Sequence, residues 1–485
     1  MPARLAGWRE LNKKETRETR QWWRLAATVG VYLVVAHVFP APAGITPSAW
    51  RTTGVFLATI AGLMLQPLPG TVVVVLGLTA LVWITDLPMS RVLSGFASPL
   101  VWLVLAAMLM SRALKDTGVA RRIALLFVHR FGQTSLGISY ALTFTDITLA
   151  AGIPSITARS GGIVLPIARN IAELYQSTPG RTAPLLGTSL MITLYQSSAV
   201  ACAMFITGQA SNVLAARLAQ DAAGVTVTAT SWFVAGLVPG LLSALAIPWL
   251  VHRMVPPVIS STPAAPQFAS LELERMGAMG RREGIALVVF VAVAGLWLTS
   301  GWSGLDVTLV ALGGLCVLLV TGTLDWDVAL KERSAWDIYV WYGGLFTLGE
   351  LLNETGSTKV FAEWVGMHLG GLPWFTALLL TVVIFFYAHY AFASITAHLL
   401  AMFSPFVVML VGLGAPPGLA VYAIACVANL TAGLTHYGTT TGPIVFAEGY
   451  VGLRDWWRVG LAASFVNLAI WIGVGFAWWR AIGIW

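Results

Sequence analysis

Two stretches, AGIPSITARSGGIVLP at residues 151–166 and AFASITAHLLAMFSP at 391–405, carry the same short polar run inside otherwise apolar sequence. Each reads Ser-Ile-Thr-Ala followed by a basic residue, Arg159 in the first and His398 in the second. The match extends beyond these letters. Trp102 and Trp341, Ser155 and Ser394, and Pro166 and Pro405 are each 239 positions apart (341 − 102, 394 − 155, 405 − 166). A constant offset over such a span implies two copies of one unit rather than a chance repeat.

The segments around the two runs, 134–175 and 372–412, are each about 40 residues long. As one straight helix each would measure roughly 60 Å, twice the hydrocarbon thickness of a bilayer. Gly152 and Pro154 interrupt the first, and Ser394 to Thr396 the second. Two short helices meeting at a polar tip fit this pattern: a re-entrant hairpin, with non-helical backbone facing a cavity or protein.

The rest of the chain sets the environment. Of 485 residues, 57% are hydrophobic and 10% charged, too little charge to cover a soluble protein of this size. Apolar runs of about 18 residues recur throughout, and each is long enough to cross a bilayer as a helix. The sequence therefore predicts an all-α polytopic membrane protein. The 21 Trp suit anchoring at the membrane interface. Cys202, Cys316 and Cys426 lie in apolar segments with no disulfide or zinc spacing. No cofactor or metal is implied.

Spans placed by hydropathy give about eleven crossings. Residues 1–21 read as a cytoplasmic N-terminal segment and 22–48 as a first transmembrane helix. The first repeat is 49–252, with its hairpin at 134–175. A polar cytoplasmic linker covers 253–283, and the second repeat is 284–485, with its hairpin at 372–412. A basic amphipathic stretch at 118–132 and a further stretch at 357–370 suit the interface plane. With the N-terminus cytoplasmic, 21 of the 28 Lys+Arg fall at cytoplasmic ends, five at external ends, and Arg159 and Arg169 within the first hairpin. That asymmetry obeys the positive-inside rule and places the C-terminus outside. It also accounts for the net charge of +7 without a nucleic-acid partner. An odd number of crossings per copy inverts one copy relative to the other, so the hairpins enter from opposite sides. Inverted repeats with broken helices at the midplane characterise secondary transporters.

After each hairpin comes a further polar break, FITGQASNVLA at 205–215 and THYGTTTGPIVFAEG at 435–449. The candidate site combines tips and breaks: Ser155, Thr157 and Arg159; Thr207, Gly208 and Asn212; Ser394, Thr396 and His398; and Gly438, Thr439, Thr440, Gly442 and Pro443. Helix N-termini and hydroxyls favour an anion. The Arg159 fork matches a carboxylate, with a salt bridge to Asp146 as its structural alternative. His398 is read as a second cationic position, with a packing role as its alternative. Together they suggest a small dianion carrying two carboxylates. No nucleophile elbow, HExxH, phosphate loop or carboxylate pair supports an enzyme. An anion channel is a weaker alternative, because two opposed hairpins read as an occluding gate.

The stretches PSITARSGGIVLPI, MFITGQASN, HYAFASITAH and NLTAGLTHYGTTTGPIVFAEGYV resemble the divalent-anion:sodium symporter (DASS) family. They are most similar to its branch of bacterial citrate/succinate and tartrate/succinate antiporters and plastid 2-oxoglutarate/malate translocators. The resemblance covers about residues 95 to 483. It implies a homodimer in membrane lipid, a scaffold and a moving transport domain, and elevator-like alternating access. Sodium-coupled members carry Ser-Asn-Thr at both tips; here Ile156 and Ile395 replace the Asn. Ile offers no oxygen to a hard cation. The resemblance thus implies sodium-independent exchange of di- or tricarboxylates such as 2-oxoglutarate, malate, succinate or citrate, with sodium-coupled dicarboxylate symport as the alternative. The short N-terminal region, without the extension of the plastid members, leads to the expectation of a bacterial inner membrane.

Overall fold

The computed structural model describes residues 21–357, 360 and 372–485. The first 20 residues and most of the 357–370 stretch lie outside the described residues. Among those described, the chain is helical throughout, with one isolated β-bridge between Thr134 and Ser261.

Two compact units are present, Met1–Val101 with Trp336–His368, and Trp102–Ala335 with Leu369–Trp485. Each draws on both halves of the sequence, so the units cut across the division into 49–252 and 284–485. In the first unit, helices α1 (21–33), α2 (Pro47–Leu65) and α3 (Gly70–Ile84) are followed by short turns over residues 89–97. Arg91 in these turns pairs with Glu350 at 3.2 Å and with Glu354. The Gly95 N–H donates to Thr347 Oγ1 at 2.9 Å.

The second unit holds both polar runs. Helix α4 (Pro99–Asp116) leads to α5 (Val119–Phe131), whose apolar stripe is buried and whose basic face is not. Arg121 and Arg122 of α5 pair with Glu272 and Glu283. Then come α6 (Ser135–Ala150), a π-helical turn Thr157–Val164 continuing into α7 (Leu165–Leu174), α8 (Gly187–Met204), α9 (Ala210–Ala223) and α10 (Ala229–Met254). Every residue of α8 is buried, including Thr188, Ser189, Thr193, Gln196, Ser197 and Ser198. Pro239 and Pro248 lie inside α10, which a membrane helix tolerates when neighbours satisfy the freed backbone.

The 253–283 stretch is not plain linker. Its α11 (Ala264–Met276) packs on α5, and the Arg121–Glu272 pair joins the two. The chain then continues through α12 (Arg281–Leu298), α13 (Val307–Val320), α14 (Arg333–Glu354), α15 (Trp374–Ala388), α16 (Ile395–Gly412), α17 (Pro417–Leu430), α18 (Thr441–Ala447) and α19 (Leu453–Leu468). The last helix runs on through a π-turn to Ala481.

Among the described residues, five helices are both long and apolar enough to cross a membrane: Ala229–Met254, Trp374–Ala391, Ile395–Gly412, Pro417–Leu434 and Leu453–Ala481. Two shorter apolar helices, Gly70–Ile84 and Val307–Val320, fall below that length. Small residues, hydroxyls and isolated charges dilute the hydropathy of the other helices, so fewer than eleven qualify on length and composition alone.

Candidate functional site

Both polar runs sit where a helix pair turns. α6 ends at Ala150, and helical structure resumes at Thr157. α15 passes through a short 3-10 turn, His389–Ala391, and α16 starts at Ile395. In each pair the arms touch: Asp146 reaches Arg159 in the first, and Phe385 stacks on His398 in the second. Ser155 and Ser394 close the turns locally. Their hydroxyls accept from the N–H of Ala158 (3.2 Å) and Ala397 (3.4 Å), which is ordinary N-capping.

Arg159 is 0% exposed and fully engaged. Nε donates to Asp146 Oδ1 at 3.1 Å, Nη1 to the carbonyls of Ile153 (2.6 Å) and Gly208, and Nη2 to Cys202 Sγ at 3.3 Å. Ser160 donates to the other Asp146 oxygen at 3.1 Å. The guanidinium thus ties arm to arm and hairpin to first break. Both charges are cancelled and hydrogen-bonded, which is what a buried pair needs. The Asp146 pair is the alternative that the sequence offered for Arg159.

His398 is also 0% exposed, as is His389. Their Nδ1 atoms are 3.2 Å apart, and His389 Nε2 is 2.9 Å from the Gly438 carbonyl. That carbonyl can only accept, so His389 carries its proton on Nε2 and its Nδ1 accepts. His398 must then donate from Nδ1, which leaves His398 Nε2 as a lone pair. This atom is buried without a hydrogen-bond partner. Phe385 and Phe392 flank the ring, at 4.1 and 4.7 Å between centroids. A second cation open to a cavity is therefore not what the structure places at His398.

The breaks lie beside the hairpins. Thr207 donates to the Ala150 and Ala151 carbonyls at the end of α6. Asn212 Nδ2 donates to the carbonyls of Cys202 (2.8 Å) and Phe205 (2.9 Å), while its Oδ1 is buried and unpartnered. Gly208 needs its bare Cα: an added Cβ would sit 2.7 Å from Cys202 Cα. In the second break, Thr439 Oγ1 accepts from the Gly442 N–H at 3.2 Å. Thr440 and Pro443 are exposed, and Thr396 is half-buried.

One contact joins the first hairpin to the second break. Thr157 Oγ1 lies 2.6 Å from Thr440 Oγ1 and 3.2 Å from Thr441 Oγ1. Thr157 and Thr440, 283 residues apart in the chain, are half-buried and exposed, whereas Thr441, which opens α18, is buried. Ile156 and Ile395 are buried instead, and Ile395 packs with Ala199 and Ala432 in an apolar cluster.

Several partners were not singled out from sequence. On α8, the Tyr195 hydroxyl donates to the Ala432 carbonyl at 2.7 Å, and Gln196 Nε2 donates to the Gly433 carbonyl at 2.8 Å. Gln209 donates to Asn429 Oδ1. Polar residues inside a wholly buried helix were the available signal. Lys115, from the KDTG run, brings Nζ to 3.5 Å from the Cβ position of Gly162, one turn beyond Thr157.

A helical membrane chain with paired hairpins and broken helices defines a secondary-transporter class of protein. Residues 19–485 match the family described as "Sodium:sulfate symporter transmembrane region", and the chain belongs to that family, as its hairpin motifs indicate. It is 39% identical over 464 residues to dicarboxylate transporter 1, chloroplastic, of Arabidopsis thaliana, covering 95% of this chain and 83% of that one. It is 30% identical over 483 residues to the L-tartrate/succinate antiporter of Shigella sonnei, covering 95% and 99%. In fold it is similar to the YdaH transporter of Alcanivorax borkumensis, with a TM-score of 0.54 at 15% identity, covering 96% of this chain and 98% of that one.

Proposed function

We propose that the protein exchanges di- or tricarboxylate anions across a bacterial inner membrane, independently of sodium. The observation that carries this reading is the Thr157–Thr440–Thr441 hydroxyl cluster, where the first hairpin meets the second break. It offers O–H donors beside a helix N-terminus, which suits a carboxylate. Ser155 lies two residues before Thr157 on the first tip, and Thr396 holds the position equivalent to Thr157 on the second. Lys115 adds positive charge near Gly162. Arg159 acts as a positioning residue that holds the first hairpin to its break. The relatives named as a dicarboxylate transporter and as an antiporter support the same substrate class and mode.

Sodium independence is supported by Ile156 and Ile395. Both side chains are buried, Ile395 in an apolar cluster, and neither offers an oxygen to a hard cation, which needs several. About eleven crossings, two inverted copies, a homodimer and an elevator-type motion belong to the same proposal. So do a cytoplasmic N-terminus and an external C-terminus.

The test is counterflow in proteoliposomes with labelled malate, succinate, 2-oxoglutarate or citrate outside. Uptake is expected only when unlabelled acid is inside, and unchanged when choline replaces sodium. Concentrative uptake into empty vesicles driven by a sodium gradient would make the protein a symporter. Passive flux without counter-substrate would make it a channel.

A further inference from the structure

The first unit holds a cavity of about 420 Å³ between α1, α2 and α3. Leu25, Val55, Leu76 and Ala80 give it hydrocarbon walls. Thr28 and Thr59 line it too, but their hydroxyls donate to their own helices, to the carbonyls of Arg24 (2.9 Å) and Val55 (2.8 Å). An anionic substrate therefore finds no donor along these walls. The helix spacing is already set by close contact. A Cβ added at Gly62 of α2 would sit 2.7 Å from Val73 Cγ1 of α3 and 3.1 Å from Thr28 Cγ2 of α1. Packed interiors leave few voids of this size, and an apolar cavity takes an apolar guest.

One mouth of the cavity carries a cation. Arg51, half-buried near the start of α2, donates from Nη1 to the carbonyl of Ile84, a lining residue, at 3.1 Å, and from Nε to that of Pro47 at 3.4 Å. Tyr32, which also lines the cavity, packs on Gly54, one turn along α2 from Arg51; a Cβ there would sit 3.2 Å from its ring. Among the described residues nothing accepts a hydrogen bond from Arg51 Nη2. From Ile84 back to Val73 the lining runs along α3 for 84 − 73 = 11 residues, about 16 Å at the helical rise. That is about one leaflet of a hydrocarbon core roughly 30 Å thick. Spread over that length, 420 Å³ is a channel of about 26 Å² in section, far narrower than a helix about 10 Å across. We infer that this channel seats one acyl chain of a phospholipid whose phosphate lies on the Arg51 guanidinium. The planar fork matches a phosphate and keeps its charge. That charge favours a headgroup of net negative charge.

The experiment is native mass spectrometry of the purified full-length chain in micelles, with phosphatidylglycerol or phosphatidylcholine of the same acyl chains added. The wild type is expected to retain one phospholipid per chain. Phosphatidylglycerol should be preferred about fivefold, the weight of one basic group near a membrane surface. Arg51→Gln is expected to retain the two lipids equally. Ala80→Phe, which puts a ring into the channel, is expected to retain neither. A wild type that carries no phospholipid, or that takes both lipids equally, overturns the inference, and this arm needs no variant to fold. Undiminished retention in Ala80→Phe overturns it, as does a preference that survives in Arg51→Gln. Lipid-free dimers that Ala80→Phe splits into monomers would give the groove to a second copy of the chain and overturn it too. Carboxylate exchange is not read in any arm, so the transport proposal stands or falls separately.

Discussion

The two hairpins stand at equivalent places in the sequence repeat but are bolted differently. In the first, Arg159 joins the other arm through Asp146 and the following break through the Gly208 carbonyl. In the second, His398 joins the other arm's end through His389, and His389 reaches the following break through the Gly438 carbonyl. The plan is shared: a basic residue four positions past the tip serine, an arm-to-arm bond, and a glycine carbonyl in the break. The chemistry is not. A guanidinium keeps its charge at any physiological pH, whereas the imidazole pair is held together by neutral hydrogen bonds. The first hairpin is bolted by an ion pair and the second by hydrogen bonds between rings and a backbone carbonyl.

The sharpest way to break this comparison is to remove one half of the charged bolt. Arg159→Ala or Asp146→Ala should cost about 3–5 kcal/mol of stability, because each leaves an uncompensated buried charge. The double change Arg159→Met with Asp146→Leu should recover most of that loss. Thermal melting of detergent-purified protein checks both. An Arg159→Ala protein that melts like wild type yet no longer binds malate would return Arg159 to the substrate.

The glycines of the breaks give the next largest contrast. A Cβ at Gly208 would meet the Cys202 backbone, with Cα at 2.7 Å and O at 2.8 Å. At Gly438 it would meet side-chain atoms, His389 Nε2 at 2.9 Å and Thr435 Oγ1 at 3.0 Å. Gly208→Ala should therefore destabilise by about 1–3 kcal/mol, as overpacking does. Gly438→Ala should destabilise less and act mainly on the histidine pair. Equal melting shifts for the two would contradict the picture of a rigid first break and a yielding second one.

A smaller effect is expected at the hydroxyl cluster. Thr157→Val removes one hydrogen-bonding group worth about 0.5–1.5 kcal/mol, so counterflow should slow about threefold to tenfold. Thr157→Ser should retain most of the rate. Initial rates in proteoliposomes decide it, and an unchanged rate in Thr157→Val would remove the cluster from the transport path. The smallest expected effect is none at all. Replacing sodium by choline should leave exchange as it was, since Ile156 and Ile395 bring only hydrocarbon to the two tips.

Much of the architecture was legible in the chain. The 239-residue offset, the interruptions at Gly152–Pro154 and Ser394–Thr396, and the Gly-flanked hydroxyls of the breaks are local properties. Breaks of this kind end helices wherever they occur, because backbone torsions and capping depend on near neighbours. The family followed from the same motifs. What the sequence could not decide was the destination of each polar group. A basic residue just past a tip looks the same whether it faces a ligand or an aspartate on the opposite arm. Only the close approach of α6 gave Arg159 the Asp146 partner that was one of two readings. Only the second break, through the Gly438 carbonyl, fixed the tautomers of His389 and His398. Thr157 and Thr440 were both named from sequence, but their contact joins residues 283 positions apart. Burial, pairing and proton position are set by atoms distant along the chain, so tertiary structure alone determined which candidate residues are clamps and which remain open to a ligand.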